Sequence, residues 1–240
     1  MPTTSDPLAW LTSLEGVPSA YAGSRDGIDV LLRDRGLRRT RPEQTGESLL
    51  RGAHASAVLE GSESSLDSVR AGDLDETAAA AVRISTELLG LVPVITSSPL
   101  QAFARVHTLA GKGVVGDDAL GRPVDAEAAA RLATLSRTIL TTEVPALMLA
   151  ALVHAELVTV APFASHNGVV ARAIERLLLV ARGVDQASLT VPEAGHLALR
   201  AAYESNLRGY SRGGRAGLHS WLLYAAEAYS RGAEASPLNG

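Results

Sequence analysis

Between Pro145 and Val160 the chain offers almost no polar face: Ala146, Leu147, Leu149, Ala150, Leu152 and Val153 crowd together, with His154 and Glu156 as the polar exceptions. A helix that is apolar all round is stable only when other elements cover it on every side. His154 and Glu156 interrupt the apolar run too early for it to span a bilayer, so its cover must be protein. The rest of the chain supplies that cover in one form. Alanine and leucine dominate, strand-like alternation is scarce, and apolar residues recur at helical spacing nearly throughout. The expected fold is all-α, a bundle built around a buried central helix.

The 240 residues suffice for one large domain. Hydrophobic residues make up 46% and charged residues 20%, a globular balance. A net charge of −4 argues against a general nucleic-acid binder, which needs a basic patch. With no cysteine, disulfides, thiolate nucleophiles and cysteine metal sites are excluded. The first residues, Met1 to Asp6, lack the basic and apolar regions of a signal peptide. The expectation is a cytoplasmic protein without membrane contact.

In chain order, a first helix is expected over Ala20–Arg35, followed by a basic, solvated connection from Arg33 to Arg41. Thr40-Arg41-Pro42-Glu43 reads as a capping box with proline in the first turn, opening a second helix that stops at Glu60-Gly61. Residues 61–73 read as a loop with a short turn at Leu66–Arg70. A third helix covers Asp75–Leu91, with Pro93 ending it, and a fourth opens at Ser98-Pro99. Residues 111–123 form a glycine-rich loop ending Gly121-Arg122-Pro123. A fifth helix covers Asp125–Thr141, and the apolar helix opens at Pro145. Its His154 and Glu156 lie on different sides of a helix, which is no zinc spacing; a hydrogen-bonded core histidine is expected. A seventh helix, Gly168–Arg182, turns Val170, Ala173, Ile174, Leu177, Leu178 and Ala181 to one side and leaves Arg172, Glu175 and Arg176 off it. Thr190-Val191-Pro192-Glu193 reads as a second capping box, opening one helix through Tyr203 and Leu207. The last helix, Ala216–Ser230, packs Trp221 and Leu222, and the tail from Gly232 should fray.

Between the apolar helix and the seventh lies Ala161-Pro162-Phe163-Ala164-Ser165-His166-Asn167-Gly168-Val169-Val170-Ala171-Arg172. Proline and Asn-Gly are ordinary turn formers, and the stretch reads first as a helix–helix connection. A helix N-terminus also presents unpaired N–H groups, so the loop can hold an anion. The stretch resembles the Fic (Fido) family signature, His-Pro-Phe-x-Asp/Glu-Gly-Asn-Gly-Arg-x-x-Arg. Pro162, Phe163, Asn167, Gly168 and Arg172 match it. Ala161, Ser165, His166 and Val169 stand where the family has histidine, an acid, glycine and arginine. Upstream, Ser56, Glu60 and Gly61 match the family's inhibitory motif Ser/Thr-x-x-x-Glu-Gly/Asn, whose glutamate pairs with the second motif arginine, here Arg172. A glutamate in a helix's last turn opposes the dipole, which independently calls for a cationic partner.

The resemblance implies a Fic-type bundle, with residues 1–74 carrying an inhibitory helix, a core over 75–231 and a tail over 232–240. Phe163, Asn167, Gly168 and Arg172 would then belong to a nucleotide or anion site, Glu60–Arg172 would be an autoinhibitory pair, and Gly121-Arg122 would belong to a flap. Active members use the loop histidine as base, the acid as a magnesium ligand and ATP as the usual donor. Ala161 cannot accept a proton, Ser165 is a poor magnesium ligand, and Val169 lacks a guanidinium. No catalytic or metal-binding residue is therefore expected, and the expected function is a residual site for ATP or another nucleotide without the usual AMP transfer. Two alternatives stand: a transferase with altered chemistry in which His166 or a substrate group is the base, and a non-enzymatic module. The partner class is a protein target or a regulated neighbour, and a homo-oligomer is compatible with either.

Overall fold

The computed structural model describes residues 6–33 and 41–239. Most of the basic connection after Arg33 and the Thr40 part of the first capping box lie outside them. Among the described residues there is no β-strand; the fold is all-α, as expected. A 3-10 turn at Ala9–Ser13 leads into α1, Val17–Leu31. α1 starts three residues earlier than its apolar pattern suggests because Pro18 fits the first helical turn. α2, Pro42–Leu59, opens on Arg41, whose N–H donates to Gln44 Oε1 at 3.1 Å, so Gln44 rather than Glu43 satisfies the cap. It closes with Gly61 at φ +92°, Ser62 N–H donating to Ala57 O and Gly61 N–H to Val58 O, the paired bonds of a glycine-terminated helix.

α3 (Leu66–Ala71) and α4 (Glu76–Glu87) follow, capped by Ser65 and Asp75 side chains. Pro93 does not end this run. A 3-10 turn, Leu88–Leu91, passes into α5, Val92–Ser97, where Pro93 sits in the first turn and its missing N–H costs nothing. Glu76–Ser97 is long and apolar enough to cross a membrane by composition. Here Ala78, Ala81, Ile84, Leu88 and Ile95 join the common core instead. α6 (Pro99–Gly111), α7 (Ala126–Thr141), α8 (Ala146–Val160) and α9 (Asn167–Ala181) come next.

The second proline-marked start gives two helices, not one: α10 (Pro192–Ala198) and α11 (Arg200–Ser211) meet at a corner on Leu199. The residues read as a capping box have other partners. Thr190 Oγ1 donates to Asp185 Oδ2, and Glu193 accepts from Arg176. α12 runs Arg215–Glu234 and does not fray. A 3-10 turn, Pro237–Asn239, folds back with Ser236 and Leu238 buried, and Asn239 Nδ2 donates to the Ala233 and Glu234 carbonyls at the helix end.

α8 and α9 form the central pair. α8 packs on α1, α7, α11 and α12, and α9 on α2, α4, α5, α6 and α10. Every residue of α8 from Leu147 to Ala155 is buried, each large apolar side chain contributing about 1.5–3 kcal/mol relative to exposure. α9 departs from expectation. Its polar face is buried too: Arg172, Glu175 and Arg176 are 1%, 0% and 2% exposed. A surface helix would turn these residues to water; here α2 and α10 cover them.

Candidate functional site

The α8–α9 loop is held by its own side chains. Ala161 ends α8 at φ +46° and His166 precedes α9 at φ +55°, both left-handed. Between them the Asn167 amide clasps Phe163: Oδ1 accepts from Phe163 N–H at 2.9 Å and Nδ2 donates to Phe163 O at 2.7 Å. Phe163 is buried and stacks on His107 of α6, with centroids 4.4 Å apart. His107 Nδ1 accepts from Gly121 N–H at 3.0 Å, and Val124 N–H donates to Pro162 O at 2.9 Å. The segment after α6 is thus tied to the loop at both Gly121 and Val124. Gly121 needs to be glycine, since at φ +70° its missing Cβ would strike Ala104 O and Thr108 Oγ1. Arg122 is exposed and makes no ion pair among the described residues.

Glu60 reaches from the end of α2 to the start of α9. Its carboxylate lies against Gly168 where a Cβ would stand, and Oε1 accepts from Arg172 Nη2 at 2.7 Å. Arg172 has three further acceptors: Ser56 Oγ at 2.9 Å, Ser56 O at 3.1 Å and Tyr203 OH at 3.0 Å. Ser56 O is an orphan carbonyl of the α2 terminus, because Glu60 N–H turns to Ala57 O instead. The guanidinium therefore caps α2 and compensates for the acidic residue at its C-terminus. Burial pulls Arg172 toward neutrality, but Tyr203 and Glu60 outweigh it and raise its pKa.

Tyr203 OH lies between Arg172 and His154 Nε2, the latter at 2.9 Å. Arg172 can only donate, so the tyrosine hydrogen goes to Nε2 and the His154 proton sits on Nδ1, facing Glu175 Oε2 at 2.9 Å. Glu175 Oε2 also meets His196 Nε2 at 2.9 Å, and Oε1 accepts from Tyr229 OH at 2.8 Å. Tyr224 OH bonds His196 Nδ1 at 2.8 Å. Burial alone would raise the Glu175 pKa; the two histidines outweigh it and hold the carboxyl well below its usual range. Burial depresses His154 to about 4 and pushes Tyr203 up to about 12. The ligand atoms of His154, Glu175 and His196 lie within 4.8 Å of one another, a spacing that a metal could bridge. Protons already bridge it, and every one of these nitrogens and carboxylate oxygens has a hydrogen-bond partner, so the trio is a closed core network. His154 is the hydrogen-bonded core histidine expected from sequence.

The loop itself does not suit magnesium. Ser165 Oγ is 3.0 Å from His166 Nδ1, and the Glu60 carboxylate is bound to Arg172. Burial lowers the His166 pKa, against the pull of Glu76 and Glu60. Val169 is 2% exposed and lines a cavity of about 20 Å³ between α2, α4 and α9, room for about one water and none for a guanidinium.

The structure therefore divides the residues singled out in the sequence. Gly168, Arg172 and Glu60 meet at the start of α9. Phe163 and Asn167 build the loop beneath them, and Gly121 is joined to that loop through His107. Sequence reasoning missed Ser48, Arg176 and Glu193. Arg176 Nη2 meets Glu193 Oε2 at 2.6 Å, while Nη1 donates to Ser48 Oγ at 3.1 Å and Ser188 Oγ at 2.9 Å. The available signal was the four-residue spacing of Arg172 and Arg176, which puts both on one face of α9.

No protein-family model matches the sequence, and no curated protein matches it. Solved structures do. A Fic family protein from Desulfovibrio desulfuricans G20 superposes with a TM-score of 0.75 at 15% identity, covering 92% of this chain and 74% of that one. Fic-1, residues 134–508, from C. elegans gives 0.64 at 15% identity, covering 91% and 70%. The chain has the Fic fold: an all-helical bundle whose central helix pair flanks the loop.

Proposed function

We propose that this Fic-fold chain is a cytoplasmic protein with a phosphate-type anion site at the start of α9, that Glu60 closes this site, and that the chain does not transfer AMP by the family's usual route. The observation that carries this reading is the position of the Glu60 carboxylate. It lies against Gly168 and bonds to Arg172, where an anion would have both the open first-turn N–H groups of α9 and a guanidinium. The carboxylate stands in for that anion and competes with it. ATP or another nucleotide is the ligand class.

The transfer chemistry lacks its parts. Ala161 stands at the base position, and a general base contributes about 10²–10⁴ in rate. Ser165 is engaged with His166, and Val169 is buried against a cavity of only about 20 Å³. What remains is recognition of charge.

Thermal shift with ATP, ADP and inorganic tripolyphosphate, on the native chain and on Glu60→Gly, tests the site. The native chain should respond weakly and Glu60→Gly strongly, since a ligand at 100 times its Kd adds about 2.7 kcal/mol. Silence of both proteins toward all three would leave the fold as a non-enzymatic interaction module. Incubation with radiolabelled ATP and magnesium, with and without lysate, tests the chemistry; label on any protein that depends on this chain would overturn the loss of transfer.

A further inference from the structure

α2 meets α9 at two arginines one turn apart, and both read it in the same way. Arg172 forks onto the Oγ and backbone O of Ser56; Arg176 forks onto the Oγ and backbone O of Ser48, the latter at 3.4 Å. Midway between the serines is Gly52. A Cβ there would come within 2.6 Å of Arg176 Nη2 and 2.8 Å of Glu193 Oε2. The glycine lets the α2 backbone lie directly on the Arg176–Glu193 pair, which is 2% and 6% exposed at its side chains.

The two contacts differ in their anions. Glu60 belongs to α2 itself and its side chain is 35% exposed. Glu193 belongs to α10 and its pairing with Arg176 needs nothing from α2. The buried ion pair therefore persists whatever Glu60 does, and it keeps the Ser48 end of α2 seated. Ser56, in turn, supplies two of the four acceptors that hold the Arg172 guanidinium in place. Displacing α2 would remove the carboxylate that blocks the site and also the serine that orients its arginine.

Building on the anion site proposed above, we infer that Arg176, with Glu193 and Ser48, is a positioning residue of that site. It holds α2 in place independently of Glu60, so the site opens by rotation of the Glu60 side chain while the helix stays docked. Ser56 then continues to aim Arg172 at the incoming anion.

Hydrogen–deuterium exchange of the α2 amides from Ser48 to Leu59, read on the full chain with and without inorganic tripolyphosphate, tests this. In Glu60→Ala, exchange should stay within about threefold of the native chain, with or without the anion. In the Arg176→Met/Glu193→Leu double variant, which replaces the whole pair by apolar residues of similar volume and so avoids a stranded charge, exchange should rise about tenfold. Ser48→Ala, which leaves the ion pair intact, should move in the same direction by a smaller factor and serves if the double variant fails to fold. In the Glu60→Ala background, Ser48→Ala should also weaken tripolyphosphate binding. Tenfold faster α2 exchange in Glu60→Ala, loss of α2 protection on anion binding, or native exchange in both clamp variants would overturn the inference. Absence of anion binding with the predicted exchange pattern would instead refute the anion site and leave the clamp standing.

Discussion

Replacing Arg172 by methionine should cost far more stability than replacing Glu60 by alanine, although the two form one ion pair. Were both partners buried, loss of either would cost about 3–5 kcal/mol, because the other would be left uncompensated. The pair is lopsided: Arg172 is 1% exposed at its side chain and Glu60 35%. Arg172→Met strands three buried acceptors, Ser56 Oγ, Ser56 O and Tyr203 OH, at about 1 kcal/mol each. Glu60, left behind, turns to water, adding at most about 1 kcal/mol for the lost part-exposed pair. Methionine fills most of the volume, so the expected total is ~3–4 kcal/mol, or a fall in Tm of roughly 10 °C for a chain of this length. Glu60→Ala removes only the part-exposed partner and leaves the guanidinium its three other acceptors, for ~1–2 kcal/mol. Urea denaturation of the native chain, both single variants and the double variant measures these costs, and the double-mutant cycle should give a coupling of roughly 1 kcal/mol. Equal costs for the two single variants, or a loss above about 3 kcal/mol for Glu60→Ala, would refute the reasoning that Arg172 is a structural centre and Glu60 its movable cover.

Three further outcomes follow from the same geometry. Val169→Arg, which puts arginine where the Fic signature has one, should destabilise the chain by several kcal/mol, because the side chain would have to enter a space of about 20 Å³ whose lining carboxylate, Glu193, is already bound to Arg176; a stability within about 1 kcal/mol of the native chain would show that α2 gives way. Tyr203→Phe strands Arg172 Nη1 and His154 Nε2 and should cost about 1–3 kcal/mol, measured by urea midpoint, whereas no loss would mean that the two ends of the network are independent. Stability should also fall on mild acidification. Burial holds His154 and His107 at about 4 against an ordinary 6.5, so the unfolded chain binds protons that the fold refuses between those values. Their contribution is complete above pH 6.5 and lost as pH falls toward 4; urea midpoints at pH 7.5, 5.5 and 4.5 should decline in order, and a flat or rising series would contradict the neutral assignment.

Local signals placed most of the helices. Glycine and proline marked where α2 and α9 end and where α2, α6 and α10 begin, because those residues act through backbone geometry that no distant contact can alter. The same signals misled where a proline or glutamate had a second use. Pro93 continued a helical run because a 3-10 turn precedes it, and Glu193 left its cap for Arg176.

The meeting of Ser56, Glu60 and Arg172 was anticipated from the resemblance to the inhibitory motif; a last-turn glutamate by itself calls only for some cation. The apolar wall of α8 likewise declared itself. What the sequence alone settled were these local matters: an all-helical chain, a fully covered central helix, and a loop with the residues to make a turn. Only the tertiary structure decided that Arg172, Glu175 and Arg176 face inward, because a polar face reads identically whether water or other helices cover it. Only the packing of α2, α10 and α11 around α9 brought Ser48, Ser56, Glu193 and Tyr203, far apart in the chain, within hydrogen-bond reach of those side chains. That packing makes α9's charged face part of the core, and a buried charge must find its partners in three dimensions.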